Sequence, residues 1–240
     1  MGISVVLPAR NEALNLERLL PLIQEQVKSL NEEYEIIIVD GLTPEDNSRE
    51  ICEKYGAIYI NQEQPYFGGA YRTGIKAAKY DKYLVLDCDG SHPPEKIPEL
   101  YNVFIKENCD LVIGSRYVKG GKTYDSPFLI LMSKLLNNTY RLLLGIKATD
   151  LSAGFRIYRT ELLKNIDLEC KNFDLMQEII VKMRLLKPDL KIREIPITFK
   201  KRDYGESKRN LPVFIYSFVS TLIKLFFINA FQLKKARLSE

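Results

Sequence analysis

A chain of 240 residues is long enough to bury a core without disulfides or a structural metal, and 46% hydrophobic with 28% charged residues is the balance of an ordinary globular protein. Four scattered cysteines (Cys52, Cys88, Cys109, Cys170) without a C-x-x-C pair, and a lone histidine, His92, argue against a zinc site or a disulfide framework and for a reducing, cytosolic setting. The net charge of +4 is uneven: residues 200–240 hold nine Lys/Arg against three Asp/Glu, which leaves −2 on residues 1–199.

The opening run Ile3 to Leu7 reads as a strand. Met1 to Leu7, stopped by Pro8, is too short for a signal peptide or a membrane span, and Val6 breaks the N-myristoylation pattern. A helix follows over Asn11 to Leu30, with Leu16, Leu19, Leu20 and Ile23 at helical spacing. The alternation continues with strands at Glu35 to Val39, Ala57 to Ile60, Tyr83 to Leu86 and Leu111 to Ile113, and helices at Ser48 to Tyr55, Gly69 to Lys79 and Pro94 to Lys106. Short β-rich runs alternating with helices predict buried parallel strands in a doubly wound α/β sheet. Beyond Asp125 the pattern gives a helix to about Leu144, a strand at Phe155 to Tyr158, a helix at Leu175 to Leu186 and a strand at Ile192 to Ile197 before a basic loop. One catalytic domain over residues 1–210 and an appendage over 211–240 are expected.

In such sheets ligands bind beyond the carboxyl ends of the strands. Polar residues gather at four of these ends: Pro8-Ala9-Arg10-Asn11-Glu12, Asp40-Gly41, Asp87-Cys88-Asp89 and Gly114-Ser115-Arg116. If extension continues past the strand, a period of two turns Asp87 and Asp89 toward one side. Two carboxylates sharing a pocket call for a proton or a cation between them, and Mg²⁺ or Mn²⁺ held by one or two carboxylates, waters and substrate phosphates satisfies that. The G-x-G-x-x-G and G-x-x-x-x-G-K-[ST] phosphate loops are both missing, which removes dinucleotide-dependent dehydrogenases and P-loop NTPases. Phe67-Gly68-Gly69-Ala70 reads as glycines closing a turn in preference to a phosphate cradle, and His92, in His92-Pro93-Pro94, as a turn residue in preference to a catalyst.

These segments, with Gly68 to Gly74, His92-Pro93-Pro94-Glu95, Asp150 to Arg156 and Arg202 to Lys208, recur in the order found in family 2 glycosyltransferases. Within that family the chain most resembles dolichol-phosphate mannose synthases and their polyprenyl-phosphate relatives, over about residues 2–208. The resemblance implies a GT-A fold and inverting transfer of a hexose, mannose or glucose, from a nucleotide-diphosphate sugar of the GDP-mannose or UDP-glucose type to a polyprenyl phosphate, with no nucleic acid partner. It places Pro8, Arg10, Glu12 and Asp40 in the nucleotide pocket and Asp87 and Asp89 at the diphosphate, Asp89 as direct metal ligand with Ser91 as a further oxygen donor. Arg202 and Lys208 would fold over the phosphates, one a planar fork and the other a point charge. The chain departs from the family pattern at Asp40-Gly41-Leu42-Thr43, where one acid is lost, at Ser91, where Gln is common, and at Leu129, where the synthases carry an Arg. Ser133 matches the acceptor helix, and the acceptor's cation falls to Lys134 or Arg116. A phosphate acceptor is already anionic and needs no base, whereas a saccharide hydroxyl, the alternative acceptor, would need Asp150 or Glu178. A non-catalytic scaffold role is the reading from a different class.

In the tail, Pro212 suits a first helical turn, and Val213 to Leu233 forms a helix about 30 Å long. Ser217, Ser220, Thr221, Lys224 and Gln232 make a narrow polar stripe, and Phe214, Phe218, Leu222, Leu225, Phe226 and Phe227 cover the rest. Three placements compete: an interfacial helix, a single span, and a helix packed on protein. Lys224 at mid-length costs roughly 2.5–3.5 kcal/mol in a bilayer centre, which argues against a span. Lys208, Arg209, Lys234, Lys235 and Arg237 at its flanks attract anionic lipid by about 1 kcal/mol each near the surface. The expected location is the cytoplasmic face of a membrane, peripheral or singly anchored.

Overall fold

Buried from Gly2 to Leu7, strand β1 (Gly2–Pro8) has the continuous apolar run of a strand covered on both faces. It pairs in parallel with β2 (Glu33–Asp40) and β4 (Lys82–Val85), and β2 pairs in parallel with β3 (Ile58–Asn61). Helices α1 (Ala13–Lys28), α2 (Ser48–Lys54), α3 (Tyr66–Ala77) and α4 (Ile97–Lys106) connect this half and lead to β5 (Leu111–Ser115). A two-residue strand β6 (Lys122–Thr123) precedes α5 (Pro127–Leu144), β7 (Arg156–Arg159), α6 (Thr160–Lys164), α7 (Leu175–Leu186), β8 (Ile192–Pro196), β9 (Thr198–Phe199) and α8 (Leu211–Leu238). The computed structural model describes residues 1–204 and 211–238.

The large sheet has the order β3-β2-β1-β4-β7-β5-β8, with β7 antiparallel to both of its neighbours and all other pairs parallel. The winding reverses between β1 and β4, and the four polar strand ends converge beside that switch point. Strand alternation splits the core in two: Val6, Ile37, Val39 and Val85 pack beneath α3, α5 and α7 on one face, while Val5, Leu7, Ile36 and Ile38 meet Leu16, Leu20 and Leu100 on the other. Each such side chain contributes about 1.5–3 kcal/mol when fully buried. The β6–β9 ribbon and α6 are additions to the elements expected from sequence.

Helix α8 packs on α5 and α7 through a face that mixes part of its polar stripe with apolar residues, while Ser220 stays exposed. Ser217 and Thr221 are buried with Phe218 and Leu225. The Thr221 hydroxyl donates to Asp174 Oδ2 at 2.6 Å, Tyr140 Oη donates to the Phe218 carbonyl at 2.6 Å, Arg184 donates to Asn229 at 2.8 Å, and Lys224 pairs with Glu169. The outward face is apolar, with Tyr216, Ile223 and Phe227 exposed. By length and composition Pro212–Phe231, of mean hydropathy 1.8, could cross a membrane; one face of it packs on the rest of the chain, with 28% of that window buried.

Candidate active site

The strand ends border a cleft of about 1010 Å³, lined by Pro8, Arg10 and Glu12 after β1, by Asp87, Asp89 and Ser91 after β4, and by Lys200, Lys201 and Arg202 after β9. The same cleft is also lined by apolar residues, among them Phe67, Ala70, Leu129, Phe173 and Phe199. Phe67 and Phe173 stack with ring centroids 4.2 Å apart.

The Pro8 to Glu12 loop leaves β1 with Ala9 N–H on the Val39 carbonyl at 2.8 Å and Asn11 in the left-handed region at φ +55°, a conformation Asn tolerates. Asp40 holds this loop from below. Its Oδ1 accepts from Gly41 N at 2.7 Å and from Asn11 N at 3.4 Å, and its Oδ2 from Tyr59 Oη at 3.0 Å. Burial and then the Asp40 charge push the Tyr59 phenol up to about 12. Asp40 is 0% exposed and does not line the cleft, so the expectation that it contacts the nucleotide is corrected: it is buried beneath the loop and braces it from the protein side.

Strand β4 ends at Val85, short of the extension that a simple alternation of Asp87 and Asp89 requires; a bent loop carries both to the cleft instead. Asp89 Oδ1 accepts from Ser91 N at 3.0 Å and Ser91 Oγ at 2.5 Å, while Oδ2 receives Arg202 Nη2 at 3.3 Å. Ser91 is buried with its hydroxyl hydrogen committed to Asp89, so it orients that carboxylate. Arg202 Nη2 also reaches Glu12 Oε1 at 3.3 Å. Backbone bonds from Lys200 N to the Ser91 carbonyl and from Asp203 N to the Asp89 carbonyl, both 2.9 Å, strap residues 200–204 across the loop. Asp203 then packs over Gly90, where a Cβ would stand 1.8 Å from Asp203 Oδ2 and φ is +81°. Lys208 lies outside the described residues.

Two carboxylates facing one cleft, with a hydroxyl beside them, fit Mg²⁺ or Mn²⁺, oxygen-bound cations that keep waters and take phosphates as remaining ligands. They do not fit a closed zinc site: among the described residues no group of three or more His, Cys, Asp or Glu stands together to hold a metal ion by itself, so phosphates and waters would complete the coordination.

Arg116 reaches the cleft only through a recess of about 30 Å³ that shares Phe67, Asp87, Phe173 and Phe199 with it. Its Nε and Nη2 donate to the two oxygens of Asp150 at 2.8 Å each, and Nη2 donates to Ser152 Oγ at 2.8 Å. Ser133, 3.5 Å from Arg116 Nη2, lines neither space, and exposed Lys134 sits over the Tyr117 ring at 5.5 Å. The expectation that Arg116 and Ser133 meet the acceptor directly is therefore corrected for Ser133 and narrowed for Arg116, whose charge is already matched by Asp150. Burial alone would raise the Asp150 carboxyl, but the Arg116 charge and hydrogen bonds outweigh it and hold the group below the usual carboxylate range.

Neither base candidate is placed to act. Asp150 is 0% exposed in that ion pair, and Glu178, 1% exposed, accepts from Glu169 N and Cys170 N and pairs with Lys182 at 2.8 Å. His92 accepts the Asp87 N–H on Nδ1 at 3.0 Å between Phe155 and Phe199, which makes it a buried brace of the Asp87 loop. Gly68 and Gly69 open α3, where a Cβ would come within 2.1 Å of the Cys170 carbonyl oxygen and 1.8 Å of the Gln64 carbonyl oxygen, so they serve close backbone packing. Tyr66 on the cleft rim has φ +69°, a strained value for a bulky residue. Residues that sequence reasoning did not single out are Lys200, Lys201, Phe173 and Arg18, the last pairing with Asp203 at 2.6 Å. None carries a local motif: the path of residues 198–204 brings Lys200 and Lys201 to the cleft, Phe173 comes from the segment before α7, and Arg18, on α1, meets Asp203 without lining the cleft.

The family model for glycosyl transferase family 2 matches residues 4–167. Dolichol-phosphate mannosyltransferase of Pyrococcus furiosus is 37% identical over 216 residues, 87% of this chain, and this chain spans 59% of that protein's length. Undecaprenyl-phosphate mannosyltransferase of Micrococcus luteus is 32% identical over 220 residues, 87% of each chain, and polyprenol monophosphomannose synthase of Mycolicibacterium smegmatis is 33% identical over 85% of this chain and 79% of its own. Glucosyl-3-phosphoglycerate synthase from Mycobacterium tuberculosis, solved with Mn²⁺, UDP and phosphoglyceric acid, superposes with a TM-score of 0.72 at 20% identity over 94% of this chain and 78% of that one. A second structure of it, with Mg²⁺ and UDP, also gives 0.72. The GT-A fold expected from sequence is the one observed.

Proposed function

The chain belongs to glycosyltransferase family 2, and on that premise we propose that it transfers a hexose, with inversion, from a nucleotide-diphosphate sugar to a polyprenyl phosphate. The observation that carries this reading is the mixed lining of one cleft, in which Asp87, Asp89 and Arg202 share the space with Phe67, Leu129 and Phe173. The polar residues suit a diphosphate, and the apolar residues suit the first isoprene units of a lipid. The relatives' names point the same way: each of the three carries mannose and a polyprenol or its phosphate in its name. Mannose from a GDP-mannose type of donor is the first choice, and a UDP-glucose type the second.

Pro8, Arg10 and Glu12 take the nucleotide side of the cleft, and Asp87 and Asp89 hold Mg²⁺ or Mn²⁺ with Ser91 fixing Asp89. A divalent cation bound there supplies countercharge to the departing diphosphate. Arg202, held by the strap above Asp89, turns its planar fork to the same phosphates, and Lys208 adds a point charge. Lys200 and Lys201, which line the cleft without a buried carboxylate like Asp150, attract the acceptor phosphate, with Arg116 at the end of the recess. The acceptor oxygen is already anionic, so the burial of Asp150 and Glu178 removes no step. Those same burials weigh against a saccharide hydroxyl acceptor, and the assembled carboxylates and cations weigh against a scaffold. Residues 1–210 form the catalytic unit and 211–240 an appendage that meets the cytoplasmic face of a membrane.

Purified protein with Mn²⁺, a polyprenyl phosphate and a panel of labelled nucleotide sugars tests this. Label extracted into organic solvent from one donor names the sugar and the acceptor class together. Label passing only to water-soluble saccharides overturns the acceptor assignment.

A further inference from the structure

Arg156, the first residue of β7, is fully buried. Its Nη2 donates to the Leu151 carbonyl at 2.7 Å, and its Nη1 to the Met176 carbonyl at 3.0 Å and to Tyr158 Oη at 3.1 Å. Among the described residues none of these acceptors is a carboxylate, and Nε has no hydrogen-bond partner. Asp150 feels the charge of Arg156, but both of its oxygens are already bonded to Arg116. A guanidinium without a counter-ion of its own is a costly core residue, and an apolar side chain of similar length would fill the place at less cost. Stability alone is a poor reason for it to stand there.

What its two carbonyl partners share is the recess beside Asp87. Ser152, Ala153 and Gly154, directly after Leu151, supply part of the lining, and Phe173 and Met176, before and within the first turn of α7, supply another part. Gly154 also meets the Asp87 side chain: a Cβ there would stand 3.3 Å from Asp87 Oδ1 and 3.3 Å from His92 Cε1. His92 in turn accepts the Asp87 N–H at 3.0 Å. The backbone of Asp87 is thus set by His92, and its carboxylate packs on a segment that Arg156 holds.

We propose that Arg156 is a positioning residue for the metal-dependent transfer. By tying Leu151 and Met176 to one planar group it fixes the recess and, through Gly154, the carboxylate of Asp87 in the orientation a divalent cation requires. This rests on the reading of Asp87 as a ligand of that cation. A rigid fork with two separate Nη atoms holds two carbonyls at a set separation, which an ammonium on a flexible stem does not. A carboxylate that shares its cation with phosphates and waters depends for its direction on the residues packed behind it.

Arg156→Met removes the fork at nearly constant length, and Arg156→Lys keeps the charge while reaching one carbonyl at a time. With full-length protein, Mn²⁺ binding in the presence of GDP or of UDP is read from the loss of the free-ion electron paramagnetic resonance signal. Transfer to a short-chain polyprenyl phosphate is measured alongside. In Arg156→Met the Mn²⁺ dissociation constant rises and kcat falls by about 10–100-fold, while the donor KM at saturating Mn²⁺ stays within about twofold. Arg156→Lys recovers part of both losses. A purely structural role would lower the urea midpoint and leave Mn²⁺ affinity and kcat per folded molecule unchanged, and that result overturns the proposal. If Arg156→Met does not fold, Arg156→Lys decides: a loss of at least about threefold in Mn²⁺ affinity supports the assignment, and unchanged affinity overturns it. If the unsubstituted protein binds Mn²⁺ but moves no sugar to the lipid, and the variants still lose Mn²⁺, the positioning of Asp87 stands and the acceptor reading falls. An unsubstituted protein that binds no Mn²⁺ with either nucleotide overturns both.

Discussion

Arg18 on α1 and Asp203, just after β9, form a 2.6 Å ion pair that ties the strap carrying Arg202 to the first helix of the sheet. Asp203 donates its N–H to the Asp89 carbonyl, so one pair fixes Arg202 and the loop of Asp89 together. Arg18 is 51% exposed, which limits the pair to about 0.2–1 kcal/mol. Arg18→Ala should therefore raise the donor KM by up to about fivefold with kcat nearly unchanged, and Arg18→Lys should restore most of it. Steady-state kinetics at saturating acceptor reads this directly; an unchanged KM would free the strap from α1.

A stronger perturbation of the same strap is Gly90→Ala. The added Cβ would collide with Asp203 Oδ2 at 1.8 Å, and the left-handed φ of +81° costs an L-residue about 1–2 kcal/mol. Thermal unfolding should show a loss of that order, and donor binding by calorimetry should weaken more than in Arg18→Ala. Donor affinity equal to that of the unsubstituted protein would mean that Asp203 does not set the loop.

The Asp150 carboxyl, held below its unfolded value by Arg116, gives a pH-dependent contribution to stability. In the window between the folded and unfolded pKa values the unfolded chain binds the extra proton, so stability rises with pH there. The contribution is complete above the ordinary Asp value of about 3.9 and is lost as pH falls through the lower folded value. Asp150→Asn leaves Arg116 buried without a counter-charge, at a cost of about 3–5 kcal/mol near neutrality. Denaturant midpoints of the two proteins should converge on acidification below about pH 4, and a constant gap would show that the pair is not what Asp150 contributes.

Docking of α8 depends on a few buried hydrogen bonds. Tyr140→Phe removes the donor to the Phe218 carbonyl and should cost about 1 kcal/mol in urea unfolding. Thr221→Val, which deprives buried Asp174 of its donor, should cost more, about 1–3 kcal/mol. Neither substitution touches the cleft, so kcat in detergent is expected to hold.

Much of this arrangement is legible in the residues themselves. The βα alternation and the apolar runs give the strands of the sheet within a residue or three, and the acids after Val85 mark the cleft because a buried strand ends there. What the sequence withholds is long-range pairing. Asp40 reads as a ligand contact until its burial is seen, with Tyr59, 19 residues on, and the loop amides bonded to it. Arg116 looks available until Asp150, 34 residues away, takes both arms of its fork. The polar stripe of α8 is visible as a period of 3.6, but the period does not say that Asp174 and Glu169 wait on the protein side for Thr221 and Lys224. The β6–β9 ribbon, two residues on each side, is too short for any alternation to appear.

The central claim is that Asp87 and Asp89 organise a divalent cation and the donor diphosphate for transfer to a polyprenyl phosphate. Its most direct test is the rate of label transfer to that lipid as a function of Mn²⁺, in the unsubstituted protein and in Asp89→Asn. The account predicts a saturable rise with Mn²⁺, abolished by chelator, and a kcat lower by about 10²–10³ in the variant. Transfer at an equal rate with chelator present, or an Asp89→Asn protein that keeps the unsubstituted rate, would contradict it.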